Sequence, residues 1–486
     1  MTEAALQERG VGWWMREALA AEPPVAAAPP LADMATTTFD VAIVGAGYTG
    51  LWTAWSLLQG MPGARVVVLE QGLGGGAASG RNGGFVHGWW DQMPYLVEQF
   101  GTEAALRVAG LVDESVQGIG DWCAKHGVDA WFRRGGYLRV SASPAQDGEW
   151  RPAVEACRAA GEPDAYVELS ADEVRARCAS PVMRGGALMA NAATVQPARL
   201  ARALRHAVQA AGARVVEGTR VEAIRPGEQL TLQTSVGPIR AEQAVLAINA
   251  WGAGWPGFRT RLLSWGSHIV LTEPAPERLA EIGWTGGEAI ADGRFTVHYF
   301  RTTPDGRVAF GAGVGAAGFG GRVDGRYDRD GRAEGRARAA LARFLPSMAD
   351  VPIADAWGGA IDISPDRLPL IGSAMGGRLH YAHGFSGNGV GPAHFAGRVL
   401  SALVDSPGSE LATLPIVNRS VRPFPPEPLR FAGARIIREA LVRRDEAQDA
   451  GRPGSLAVRM VAGIPRLMGY RFGAPKHASG ATRKSD

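Results

Sequence analysis

Residues 41–58 read VAIVGAGYTGLWTAWSLL, an apolar strand-forming run that breaks at three glycines and continues as a helix-forming stretch. Gly45, Gly47 and Gly50 stand in the spacing GxGxxG. There the first glycine permits a tight strand-to-helix turn, the second lets the backbone approach a pyrophosphate, and the third lets helix and strand pack. The helix start offers N–H groups and partial positive charge to phosphates. A second apolar strand, ARVVVLEQG (64–72), carries Glu70 at its end, twenty residues after Gly50. A carboxylate there accepts hydrogen bonds from both hydroxyls of an adenosine ribose and repels a 2′-phosphate, which disfavours NADP. The pattern predicts an α/β chain with a Rossmann-like dinucleotide fold.

Two further glycine segments bear on which dinucleotide is bound. GGGAASGRNGGF (74–85) follows the second strand directly, and its backbone can run beside an extended dinucleotide and a flat ring. Three hundred residues later, Gly384, Gly387, Asn388, Gly389 and Gly391 precede the helical stretch PAHFAGRVLSALV. A helix start aimed at the pyrimidine edge of a flavin stabilises the negative charge of the reduced ring. A nicotinamide enzyme has no use for that second turn, so FAD is preferred over NAD.

Elsewhere the pattern predicts a short helix over 7–20, an extended proline-rich linker over 21–38, a helix over 95–126, and a hairpin in WFRRGGYLRVSAS turning at Gly135–Gly136. A short helix over 170–178 starts at Ser170 with Glu173 three places on. The helix PARLARALRHAVQAAG closes at Gly212 and leads into one strand, ARVVEGTRVEAI. SHIVLTEP, TVHYFRTTPDGRVAFGAG and ADAWGGAIDIS read as strands of a second sheet, with a hairpin turn at Asp305–Gly306.

The 51 basic and 48 acidic residues nearly balance, and lysine occurs only at 125, 476 and 484, so no nucleic-acid partner is expected. Cys123, Cys157 and Cys178 have neither metal spacing nor an even framework, which predicts reduced thiols, no metal site and a cytoplasmic location. No apolar stretch reaches the ~20 residues of a membrane span. SLAVRMVAGIPRLMGYRFG alternates apolar residues and arginines as a membrane-surface helix does, but Pro465 and its glycines weaken that helix, so membrane attachment is not expected.

Taken together and in order, VAIVGAGYTGLWTAWSL, VVVLE, GGGAASGRNGGF, VQPARLARAL, AVLAINAW, YFRTTPDGRVAFGAG and HGFSGNGVGPAHFAG resemble the D-amino-acid oxidase (DAO) superfamily of FAD-dependent oxidoreductases, particularly its glycine-oxidase-like and γ-glutamylputrescine-oxidase-like members. The resemblance runs from about residue 36 to about 405. It implies a discontinuous FAD domain (36–95, 190–253, 355–405) interleaved with an antiparallel-sheet substrate domain (96–189, 254–354), between an N-terminal segment (1–35) and a C-terminal extension (406–486). By the same resemblance Gly45, Gly47, Gly50 and Glu70 bind the ADP half of FAD. Ser79, Arg81, Asn82 and Gly83 lie along the pyrophosphate, ribityl chain and flavin. Val221 frames the adenine, and Gly384, Gly387, Asn388 and Gly389 hold the pyrimidine edge. The implied reaction oxidises a small primary or secondary amine to an imine that hydrolyses, with oxygen or another acceptor taking the electrons. Some members attach FAD through a histidine in the glycine loop or a later cysteine; here Asn82 stands in the loop and no cysteine follows Cys178, so non-covalent FAD is expected.

His268, Tyr299 and Arg301 lie on strands that the resemblance places over the flavin, and Tyr299 and Arg301 share a strand face. An arginine beside a tyrosine suits a carboxylate or phosphonate end of the amine; the competing reading pairs Arg301 with Asp305 or Glu273. Trp89, Trp90 and Trp265 fit either an amine pocket or the core. His87 and His383 fit either the flavin's surroundings or a structural role. Trp13–Trp14 reads as a lid or as a staple for the terminus.

Overall fold

The chain is described from a computed structural model that covers residues 11–22, 37–313 and 315–471; the proline-rich linker and both extreme termini lie outside these residues. Three sheets organise the described residues. The first contains β1 (Thr38–Val44), β2 (Val66–Leu69), β9 (Arg214–Val216), β10 (Val221–Arg225), β11 (Leu230–Thr234), β12 (Gly237–Leu246), β18 (Leu370–Ala374) and β19 (Leu379–His383). Its core is parallel, with β1 between β2 and β12, β9 outside β2, and β19 alongside the end of β12. β12 is long enough to pair with β11 at its start and β19 at its end. All four residues of β2 are buried, as expected for a strand covered on both faces.

The second sheet runs β17-β13-β16-β15-β14-β5-β7-β6, comprising β5 (Tyr137–Val140), β6 (Val167–Leu169), β7 (Gly186–Met189), β13 (Leu263–Thr272), β14 (Ala289–Asp292), β15 (His298–Thr302), β16 (Val308–Ala312) and β17 (Ile353–Ile363). Its pairs are antiparallel except β5 with β14. The expected turn at Asp305–Gly306 joins β15 to β16, with Gly306 at φ +82°. A small third sheet holds β3 (Phe85–Val86), β4 (Arg133–Arg134) and β8 (Ala193–Thr194).

Three local expectations are corrected. WFRRGGYLRVSAS is not a hairpin: β4 pairs with β8 in the third sheet, whereas β5 pairs with β7 and β14 in the second. Gly135 and Gly136 carry the chain between sheets, with Gly135 so close to Gly287 that a Cβ would fall 2.3 Å from its carbonyl. The helix over 95–126 is two, Met93–Phe100 and Thr102–Lys125, broken where Gly101 takes φ +78°. ARVVEGTRVEAI forms β9 and β10 with Gly218 (φ +72°) turning between them. By contrast, Ser170 and Glu173 form the reciprocal cap of helix Ala171–Arg177.

Helix Val390–Asp405 crosses helix Tyr48–Gly60 at Gly397, where a Cβ would come 2.6 Å from the Trp52 Cβ. Helix Trp13–Ala21 is a staple rather than a lid. Trp14 is fully buried against Trp357 (centroids 5.6 Å apart), and its Nε1–H donates to the Asn82 carbonyl at 3.2 Å. Beyond residue 405 the chain forms helices Leu429–Asp449 and Leu456–Leu467, the latter with Pro465 in its last turn. Among the described residues no helix is long and apolar enough to cross a membrane.

Candidate active site

A cavity of about 2760 Å³ lies between the first two sheets and carries most of the predicted residues in its walls. It starts at the first glycine turn. Gly45 adopts φ +104° and donates its N–H to the Leu69 carbonyl at 2.8 Å, closing β1 against the end of β2. Glu70 turns back on that corner, its oxygens accepting from Ala46 N (2.9 Å) and Gly72 N (2.8 Å). Burial raises the Glu70 carboxyl above its ordinary range, opposed by those two N–H groups. Gly47 precedes helix Tyr48–Gly60 and supplies no capping side chain; Ser79 reaches in, its Oγ accepting from Tyr48 N at 2.8 Å. Gly45, Gly47, Glu70, Ser79 and Val221 all line the cavity, whereas Gly50 lies beneath the turn against Gly45.

Along the loop 74–85, Arg81 donates to the Gly76 carbonyl (2.8 Å) and pairs with Asp328 (2.5 Å). The Asn82 side chain serves its own loop, donating to the Ala78 and Ser79 carbonyls and accepting from Gly84 N at 2.6 Å. Gly83 lies against Tyr299, whose ring a Cβ would approach to 3.0 Å. Arg81, Asn82 and Gly83 reach the cavity through this loop.

The second glycine turn is organised by a residue that sequence reading passed over. Asp362, at the end of β17, is fully buried and accepts from Gly384 N, from Phe385 N (3.1 Å) and from the Asn249 side chain (3.1 Å). Its carbonyl also accepts from Ser386 N at 2.8 Å. Gly384 (φ +81°) bends the chain but lies outside the cavity; Gly387 (φ +91°), Asn388 and Gly389 line it at the start of helix Val390–Asp405. Asn388 Oδ1 and Asn249 Oδ1 are buried in this wall without a protein partner. Nothing local marks Asp362 in the sequence, because its partners lie on other elements, 22 residues onward and 113 residues back.

Burial raises the Asp362 carboxyl to about 6, against an ordinary 3.8. The raised value means that the fold binds this proton more tightly than the unfolded chain does. The contribution is therefore fully present below about pH 4 and lost as pH rises through about 6. Asp362→Asn removes that dependence. The stability difference, wild type minus variant, measured by urea unfolding of the apoprotein, is expected to be about 2 kcal/mol larger at pH 4.5 than at pH 7; equal differences at both pH values would contradict this.

The donor-side candidates divide. Tyr299 lines the cavity, its Oη hydrogen-bonded to Ser267 Oγ at 2.8 Å, and burial pushes its phenol to about 12. Trp265, whose Nε1 donates to the Gly313 carbonyl at 3.1 Å, also lines it, as do Trp89 and His87. His87 stacks on Tyr137 (4.3 Å, 3° between planes), and burial holds its imidazole below its ordinary pKa.

His268 and Arg301 are not in the cavity wall. On β13 the side chains of Trp265 and Ser267 face the cavity, so His268 faces the other way, fully buried against Gly358, with both ring nitrogens unpartnered. Arg301 is 1% exposed and donates to the Gly83 (2.9 Å) and Val195 (2.6 Å) carbonyls, with its guanidinium 5.0 Å from the Trp14 ring centroid. Burial lowers it to about 9. It clamps the glycine loop from behind, and Asp305 and Glu273 pair instead with Arg307. Trp90 and His383 are likewise buried away from the cavity, the latter pushed by burial to about 3.

The sequence profile described as FAD dependent oxidoreductase (DAO) matches residues 40–403. A probable oxidoreductase OrdL of Rhizobium meliloti (strain 1021) is 30% identical over 384 residues, 77% of this chain and 85% of that one. The gamma-glutamylputrescine oxidoreductase of Escherichia coli (strain K12) is 28% identical over 370 residues, 76% and 84% of the two chains. The crystal structure of glycine oxidase from Geobacillus kaustophilus superposes with a TM-score of 0.64 at 22% identity, covering 80% of this chain and all of that one, a likeness of fold. With the profile spanning most of the chain and the glycine turn, Glu70 and the second turn meeting in one cavity, the chain belongs to the DAO family of FAD-dependent oxidoreductases.

Proposed function

We propose that this chain oxidises a small primary or secondary amine at the carbon next to nitrogen, with the FAD held non-covalently and oxygen as acceptor. The observation that carries the reading is one continuous cavity. It runs from Glu70 and Val221, past both glycine turns, to an aromatic wall of Trp265, Tyr299 and His87. The names of two relatives, an oxidoreductase of gamma-glutamylputrescine and a glycine oxidase, agree in the type of donor.

FAD fits these residues. A Cβ on Gly47 would stand 3.0 Å from Ser79 Oγ, in the space that the phosphates need, and Asn388 and Asn249 present unpaired acceptors where a polar ring edge would find them. Gly45, Gly47 and Glu70 would hold the ADP half, the backbone of 79–83 the middle, and Gly387, Asn388 and Gly389 the ring. Bound there, the flavin supplies the hydride acceptor.

The protein's part is to place and deprotonate the donor. An ammonium has no lone pair to stabilise an iminium, so the amine must shed a proton before it reacts. His87 Nδ1 faces the Gly88 carbonyl at 3.0 Å, which only accepts; the proton of the neutral ring therefore sits on Nδ1 and leaves Nε2 as acceptor. Trp265 and Tyr299 exclude water and offer aromatic faces to the cation before it deprotonates.

A dehydrogenase using another acceptor is the second reading. It is favoured by the absence of lysine between Lys125 and Lys476, which leaves arginine and histidine to bring positive charge to the ring from that span. A flavin monooxygenase would instead be reduced directly by NADPH, and a non-catalytic flavoprotein would fill its cavity with side chains. The test is anaerobic flavin reduction against a panel of amines, amino acids and aminophosphonates, with air then readmitted. Bleaching by an amine and rapid reoxidation in air are expected. Colour that persists against the whole panel would overturn the reading, and bleaching without reoxidation would assign the dehydrogenase.

A further inference from the structure

The end of the cavity away from the glycine turn is walled by the C-terminal extension, which lies outside the 40–403 span shared with the family. Arg471 docks there. Its backbone N–H donates to the Pro365 carbonyl at 3.0 Å, and its guanidinium lies 3.9 Å from the Tyr95 ring centroid. Two residues from that anchor, Arg367 is enclosed by the cavity walls yet exposed to the cavity itself.

Three other arginines of this wall are committed. Arg139 pairs with Glu149 at 2.8 Å, Arg294 with Asp449 at 2.9 Å, and Arg444 with Asp445 at 2.9 Å. Arg367 forms no ion pair among the described residues. The charges bearing on it are the like charges of Arg139 and Arg471 and, in opposition, Asp91, which accepts from the Gln92 amide at 3.0 Å. An enclosed, uncommitted guanidinium beside the like charge of Arg471 costs the empty fold electrostatic energy that an anion would recover. The backbone of Arg367 adds to the argument: φ +68° is a conformation that glycine would adopt more readily, so a side chain is kept there against local preference.

We infer that Arg367, assisted by Arg471, binds a carboxylate at the end of the donor remote from its amine, and that the C-terminal extension thereby sets substrate specificity. This takes up the role that sequence reading gave to Arg301. It rests on the amine reading only for the identity of the molecule that bears the carboxylate.

The test uses the FAD-loaded protein and two readouts. Glutarate is titrated into wild type, Arg367→Gly, Arg367→Lys and Arg471→Ala, and binding is followed by calorimetry. Arg367→Gly suits the positive φ and should fold. Its glutarate affinity is expected to fall about 10–100-fold, with Arg367→Lys in between and a smaller loss in Arg471→Ala. No binding by wild type, or equal affinity in wild type and Arg367→Gly, would overturn the proposal.

The second readout compares anaerobic flavin reduction by an ω-amino carboxylate and by the alkylamine of the same length. The preference for the acid is expected to collapse in Arg367→Gly. Glutarate binding lost in the variant while no amine bleaches wild type would retain the anion site and reject the amine reading. Bleaching by both amines with unchanged preference would do the reverse.

Discussion

Replacing Gly45 with alanine is expected to yield a chain purified without flavin and destabilised by ~2–5 kcal/mol. Two physical effects combine. The residue sits at φ +104°, outside the conformations that an L side chain adopts at low cost, and its Cβ would lie 2.4 Å from the Ala247 carbonyl oxygen. That carbonyl belongs to the segment following β12, hydrogen-bonded to β1 through Ala247 N and the Val44 carbonyl at 2.9 Å. The strand cannot retreat without breaking the parallel core, so the turn must move, and with it the backbone that we propose holds the FAD phosphates. Urea unfolding and the ratio of flavin to protein absorbance measure both effects. A variant as yellow and as stable as wild type would show that the corner tolerates what the geometry forbids.

Arg301→Ala is expected to cost about 3–5 kcal/mol in unfolding free energy, although the residue touches no cavity surface. The substitution leaves the Gly83 and Val195 carbonyls buried without their donor and opens a void beside Trp14. Because Gly83 lies directly against Tyr299, loosening the loop should also weaken flavin retention. Arg301→Lys should recover only part of the loss, since an ammonium does not reproduce the fork that reaches two carbonyls. A substrate-binding arginine would behave differently: wild-type stability with a raised KM for acidic donors. That result would return Arg301 to the donor site.

The contrast between the two positions shows what a sequence exposes. The first glycine turn was legible because its constraints are local: six residues fix a strand, a corner and a helix start, and Glu70 follows at the next strand's end. Alternation was also legible on β15, where it put Tyr299 and Arg301 on one face. It could not say which face of β13 meets the cavity, so His268 was placed where Ser267 and Trp265 stand. Arg301 was misjudged for a related reason: its partners are backbone carbonyls 218 and 106 residues away, and any sequence supplies carbonyls. Asp362 and the break at Gly135–Gly136 were hidden because their partners come from other sheets. Arg367 was invisible until the extension was seen to fold back beside it.

The account stands on one FAD held without a covalent bond between the corner at Gly45–Gly50 and the turn at 384–389. Titration of FAD into the apoprotein, read by quenching of flavin fluorescence, tests this most directly when followed by acid precipitation. Saturation at one FAD per chain, weakened in Asp362→Ala and fully released to the supernatant by acid, is the predicted result. No quenching, the same affinity in Asp362→Ala, or flavin retained in the precipitate would contradict it.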